Sequence, residues 1–209
     1  MVRTRIKICG LTEADNALRV AALGADTIGL VFYPPSPRAV SIEQAQQICR
    51  ALPPFVTVTA LFVDETPERV NQIIQQVPID LLQFHGDESP SYCRQFNKPY
   101  IKAVRVRPGL DLLELANQYL SSQGLLLDAY KPGVPGGTGE SFDWQLITPG
   151  LPLPVILAGG LDPNNVADAV SRVSPYAVDV SGGVEASKGI KDIELVERFI
   201  EEVARADRS

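Results

Sequence analysis

The sequence predicts an α/β fold: a closed barrel of eight strand–helix units. Three observations predict it. Eight short apolar runs recur along the chain, most of them continuous rather than alternating, as expected of parallel strands covered on both faces. Helix-like segments with start and stop signals separate them. The 209 residues spread over eight units give about 26 each, near the lower size limit of a (β/α)8 barrel. A doubly wound sheet also accepts the alternation, but the eightfold count favours closure. The expectation is therefore a single-domain (β/α)8 TIM barrel of near-minimal length, one domain over residues 1–209.

The elements follow in order. RIKIC (5–9) reads as the first strand, and Thr12 as the N-cap of the helix EADNALRVAALG, with Gly24 as its stop. TIGLVF (27–32) is the second strand. Ser41 caps IEQAQQICRAL, with Gln44 at the capping-box position. VTVTALFV (56–63) follows, then Thr66 and Pro67 opening PERVNQIIQQV. DLLQF (80–84) leads to Ser89, Pro90 and a short helix. YIKAVRV (100–106) precedes a helix over 111–120. GLLLD (124–128) is the sixth strand, and 142–147 gives at most about two helical turns after it. PVILA (154–158), a helix over 163–173, YAVDV (176–180) and a final helix over 192–206 complete the pattern.

Composition narrows the function classes. Lys and Arg number 19 against 25 Asp and Glu, a net charge of −6, which argues against a broad nucleic-acid surface. No apolar run reaches membrane-spanning length, and the N-terminus MVRTRIKICG has no signal core. The expected location is cytoplasmic: three cysteines without a CxxC suit a reducing compartment. One histidine excludes His-rich metal sites.

In such a barrel the chemistry sits at the C-terminal ends of the strands. Cys9 ends the first strand and Asp128 the sixth, on opposite sides of the mouth. An ordinary thiol is a few per cent thiolate at neutral pH, and nearby positive charge raises that fraction. Cys9 then serves as a base, or as a nucleophile if a partner activates it. His85 lies too far across the barrel to be that partner. A carboxyl ending an apolar strand is partly desolvated, which favours its protonated form and suits Asp128 to general acid work; the alternative is a loop-bracing aspartate. Lys7 points the same way as Cys9. An ion pair between Lys7 and Asp179 of the neighbouring eighth strand is expected beneath the site, with Lys7 favouring the thiolate. Cys49 and Cys93, in helical segments, read as inert.

The loops AGGLDPNN and SGGVEASK follow strands seven and eight, where many barrels hold phosphate. Glycine lets backbone N–H groups approach an anion; the alternative is that these glycines only make tight turns. The stretch GVPGGTGESF completes neither GxGxxG nor a Walker loop and reads as a mobile loop beside the site.

These motifs resemble the phosphoribosylanthranilate isomerase family. The resemblance runs from KICGLT (7–12) through QFHG (83–86), LD (127–128), GGTG (136–139), FDW (142–144), AGGL (158–161) and PNNV (163–166) to DVSGGVE (179–185). It implies an Amadori rearrangement in tryptophan biosynthesis on a phosphorylated small molecule, without metal or cofactor. It implies Asp128 as general acid and Cys9 as general base. Arg38 would bind the anthranilate carboxylate, Gln83 and His85 would line the pocket, and Gly159, Gly160, Ser181, Gly182 and Gly183 would hold phosphate. The chain departs from the family pattern at Phe84, Ala129 and Gly182, which bears on affinity rather than on the reaction. The competing readings are another sugar-phosphate isomerase and a non-catalytic phosphate-ligand barrel. No nucleic-acid or membrane partner is expected. A monomer is the default, with a homodimer as the alternative.

Overall fold

A computed structural model describes residues 3–129 and 143–208. Its eight parallel strands are β1 (Arg5–Cys9), β2 (Thr27–Val31), β3 (Thr57–Phe62), β4 (Leu81–Phe84), β5 (Tyr100–Val106), β6 (Leu125–Ala129), β7 (Val155–Leu157) and β8 (Ala177–Val180). Each pairs with its successor, and β8 closes on β1 with Lys7 opposite Asp179. The eightfold rhythm is thus a closed barrel, with strand bounds within two residues of those read from the sequence.

The helices are α1 (Ala14–Ala22), α2 (Ile42–Ala51), α3 (Pro67–Gln76), α4 (Pro90–Arg94), α5 (Leu112–Gln118), α6 (Val166–Val173) and α7 (Ile193–Ala206). The Ser41–Gln44 capping box forms in full. Thr66, Ser89, Asp111 and Asp192 each accept a backbone N–H as N-cap, each satisfying an otherwise orphaned donor. Two starts differ from expectation. Thr12 does not cap α1; its hydroxyl donates to the Gly189 carbonyl at 3.0 Å, tying the first loop to the last, and Glu13 takes the N-cap position without a side-chain bond. The helix expected from residue 163 begins at Val166, because Asp162 and Asn165 brace a turn: Asp162 Oδ1 accepts from the Asn164 and Asn165 amides, and Asn165 Oδ1 accepts from the Asp162 amide. Between β6 and β7 the described residues hold only a 3-10 turn, Trp144–Leu146. The stretch read as a mobile loop, GVPGGTGESF, lies outside the described residues.

Burial sorts the two sides of the sheet. The outer side carries Ile8, Ile28, Leu82, Phe84, Leu125 and Val178, all packed against the helices. Phe32 stacks on Phe62 and Phe62 meets Phe84 at a tilt there, with Tyr92, Phe96 and Tyr100 around the last. Truncating such a buried ring to Ala costs about 3–5 kcal/mol. The barrel interior is different. Its apolar part is a small plug of Ile101, Ala103, Leu126, Ile156, Ala158 and Ala177. Lys7, Thr59, Gln83, His85, Asp128 and Asp179 are buried polar residues outside these apolar clusters. After β8 comes a 3-10 turn, Gly182–Val184, then a small antiparallel pair, β9 (Glu185–Ser187) and β10 (Ile190–Lys191). No helix among the described residues is long and apolar enough to cross a membrane.

Candidate active site

A cavity of about 380 Å³ opens at the C-terminal ends of the strands. All ten residues singled out from the sequence line it: Cys9, Arg38, Gln83, His85, Asp128, Gly159, Gly160, Ser181, Gly182 and Gly183. A larger hollow, about 870 Å³, lies around Trp144, Leu151, Pro154 and Tyr176, near the N-terminal starts of β7 and β8. None of the ten lines it, so the chemistry favours the smaller cavity.

Cys9 ends β1, and Gly29 stands beside it on β2. A Cβ on Gly29 would lie 2.7 Å from Cys9 Sγ, so the missing side chain is what gives the thiol its room. Below, Lys7 Nζ donates to Asp179 Oδ1 at 2.8 Å, the ion pair expected from the strand order. Burial alone would lower the Lys7 pKa; the charges of Asp179 and Cys9 outweigh it and hold the ammonium above its ordinary value. Lys7 also pulls the Cys9 thiol down, as expected, and Lys191 joins it. Burial is the larger effect, however, and the thiol ends above its ordinary value. The expectation of a thiolate favoured by Lys7 is therefore half right: the pull exists and loses to desolvation. Cys93 is buried and Cys49 half-buried, and burial pushes them up to about 12 and about 11, consistent with inert packing groups.

Across the cavity Asp128 is 4% exposed. Its Oδ1 accepts from the Ala129 amide at 2.8 Å, and its Oδ2 lies 3.1 Å from His85 Nε2. The ring's Nδ1 lies 3.0 Å from Gln83 Nε2. His85 thus partners Asp128 and leaves Cys9 alone. Sequence reasoning placed His85 in the pocket and weighed it as a partner for Cys9, and missed this contact with Asp128. A signal was available: inward residues of alternate strands share a layer in an eightfold barrel, which places the end of β4 beside the end of β6.

Arg38 is buried on the rim, and two of its nitrogens are engaged. Nε and Nη2 donate to Glu185 Oε1 and Oε2 at 2.7 and 2.8 Å. The fork expected to face a ligand carboxylate is thus held by Glu185. Burial pushes the Glu185 carboxyl up, but Arg38 and Lys191 overcome it and bring it to about 2. Lys191, itself buried, donates to Glu185 Oε1 at 2.9 Å and to the Ser181 carbonyl at 3.1 Å. Glu185 and Lys191 were not singled out; the hairpin that delivers them is too short to show a strand pattern.

The two glycine loops meet. A Cβ on Gly183 would lie 2.0 Å from the Leu161 carbonyl, so loop eight packs backbone to backbone on loop seven. Gly159 and Gly160 have φ of 81° and 65°, which L side chains rarely adopt. Tight packing and accessible backbone coexist here, since all four glycines also line the cavity.

Comparison with known proteins agrees with the geometry. The family model described as N-(5'phosphoribosyl)anthranilate (PRA) isomerase matches residues 6–202. The N-(5'-phosphoribosyl)anthranilate isomerase of Azotobacter vinelandii is 60% identical over 206 residues, covering 99% of this chain and 100% of the relative. The one from Pseudomonas paraeruginosa is 57% identical over 208 residues, covering 100% and 99%. Among solved structures, the Thermotoga maritima phosphoribosyl anthranilate isomerase superposes with a TM-score of 0.89 at 40% identity, covering 97% of this chain and 99% of its own. A structure of the isomerase in complex with reduced 1-(o-carboxyphenylamino)-1-deoxyribulose 5-phosphate has a TM-score of 0.86 at 39% identity, with the same coverage. From fold, cavity and relatives together, the chain belongs to the N-(5'-phosphoribosyl)anthranilate isomerase family.

Proposed function

We propose that this isomerase converts N-(5'-phosphoribosyl)anthranilate to 1-(2-carboxyphenylamino)-1-deoxyribulose 5-phosphate, a step of tryptophan biosynthesis, by general acid–base catalysis in the 380 Å³ cavity. The observation that carries the reading is the placement of Cys9 and Asp128 in one cavity, on β1 and β6, with nearly all of each side chain out of water. Asp128 gives its proton to the ribose ring oxygen. The ring C–O bond breaks, and the nitrogen lone pair completes a Schiff base. Cys9, as thiolate, takes the proton from C2, and the C2–H electrons flow to the nitrogen to give an enolamine. The enolamine tautomerises to the ketone. One group takes a proton from carbon and the other gives one to oxygen, so the reaction needs no redox partner.

The phosphate sits on the backbone amides of Gly159, Gly160, Gly182 and Gly183 beside Ser181. Arg38, braced by Glu185, offers its remaining guanidinium edge to the anthranilate carboxylate. Gln83 and His85 line the side near Asp128. All of these residues come from one chain, so the chemistry needs no second copy. The monomer is the proposed working unit, checked by sedimentation, with a homodimer as the contrary result. Three free cysteines support a cytoplasmic location.

The test is the purified protein with phosphoribosylanthranilate generated in situ, followed by anthranilate fluorescence. Turnover that persists in EDTA is expected. Ligand binding without turnover would support a non-catalytic barrel, and loss of turnover in EDTA would remove the metal-free mechanism.

A further inference from the structure

Gln83 is buried without exposure on β4, where its inward neighbour is Leu81. Burying a primary amide costs free energy unless its groups are bonded, so packing alone would place another leucine here. Its polar contact is the His85 ring: Gln83 Nε2 to His85 Nδ1 at 3.0 Å, and His85 Nε2 on to Asp128 Oδ2 at 3.1 Å.

The direction of this chain follows from what each arrangement leaves unpaired. With Nε2 on the ring, the amide oxygen Oε1 is the atom without a partner among the described residues. With the amide ends exchanged, its N–H donors would be stranded instead. An under-satisfied buried carbonyl is the better tolerated of the two. Gln83 therefore donates to Nδ1. A neutral imidazole has one donor and one acceptor, so Nδ1 as acceptor puts the ring proton on Nε2, facing Asp128.

That tautomer matters to an acid. Were the ring proton on Nδ1, a bare Nε2 lone pair would face Oδ2, and a protonated Asp128 would turn its hydrogen toward the ring. With Nε2–H there, Oδ2 accepts from the ring while Oδ1 accepts from the Ala129 amide. The acid's own proton is left to point into the cavity. We propose that Gln83 is a positioning residue: by donating to His85 Nδ1 it holds the Nε2–H tautomer, which aims the Asp128 proton at the substrate. This rests on Asp128 being the acid, as proposed above.

His85 is the chain's one histidine, so ¹⁵N NMR of histidine-labelled protein reads its tautomer without assignment. The wild type is expected as Nε2–H. Gln83→Glu offers Nδ1 an acceptor in place of a donor and is expected to shift the ring to Nδ1–H. The kcat should fall about 10²-fold, within the usual range for general acid catalysis, while KM changes little. Gln83→Met removes the donor at similar volume. It should give mixed tautomers and a smaller fall, and it carries the test if Gln83→Glu does not fold. An Nδ1–H or doubly protonated ring in the wild type would overturn the proposal. So would variants that keep the wild-type tautomer, or that raise KM with kcat unchanged. Asp128→Asn in the same assay separates the two ideas: full turnover there removes the acid reading, while the wild-type spectrum still reports on Gln83.

Discussion

On the wall built by β8, β1 and β2, Cys9 sits above a buried ion pair, and its proton affinity is a contest between desolvation and the Asp179 charge, which raise it, and the charges of Lys7 and Lys191, which lower it. On the wall built by β4 and β6, Asp128 is held by direct hydrogen bonds from the Ala129 amide and the Gln83–His85 chain. Charges act over distance, so the first wall should respond to substitutions that never touch the thiol. Hydrogen bonds act on contact and depend on donor direction, so the second should respond to changes of tautomer and shape. On the proposed roles, one cavity tunes a base and an acid by different means.

Predictions that break this comparison begin with the groups themselves. Asp128→Asn and Cys9→Ala should each lower kcat by at least about 10²-fold in the fluorescence assay while product binding by calorimetry is largely kept. Next comes the charge wall. A thiolate base works better as pH rises, and because Cys9 lies above its ordinary value the rate should still be climbing through the neutral range. Lys7→Met removes a charge that lowers the Cys9 pKa, so the climb in kcat/KM should move to higher pH; an unmoved profile would contradict the contribution of Lys7. It also leaves Asp179 buried and unpaired, at a cost of about 3–5 kcal/mol in denaturant unfolding. Gly29→Ala places a methyl 2.7 Å from the Cys9 sulfur. Overpacking of this kind costs about 1–3 kcal/mol, and the displaced thiol should lose kcat more than KM. The smallest effect concerns Glu185. Its carboxyl falls from 4.5 to about 2 in the folded state. Its contribution is therefore complete above the unfolded value and is lost as pH falls from about 4.5 toward 2. Glu185→Gln should flatten acid unfolding in that window.

Much of this was legible in the sequence because it depends on local order. Continuous apolar runs fix buried parallel strands, and strand ends fix which side chains reach the mouth, so Cys9, Asp128 and the glycine loops were placed without any distance. Lys7 with Asp179 was legible because the first and last strands must pair in a closed barrel. What escaped depends on contacts between segments far apart in the sequence. The His85–Asp128 contact joins alternate strands, Glu185 reaches Arg38 from 147 positions away, and Thr12 bonds Gly189 rather than its own helix. The direction of the Cys9 shift escaped for another reason: a sequence shows which charges are near a thiol but not how much water it has lost.

The central claim is that one acid and one base act on the same substrate as a unit. Groups that work as a unit are strongly non-additive. The most direct measurement is kcat for Cys9→Ala, Asp128→Asn and the double variant under identical conditions. The account predicts that each single variant loses most of the activity and that the double is little worse than either. Normal turnover in either single variant, or losses that multiply in full, would contradict it.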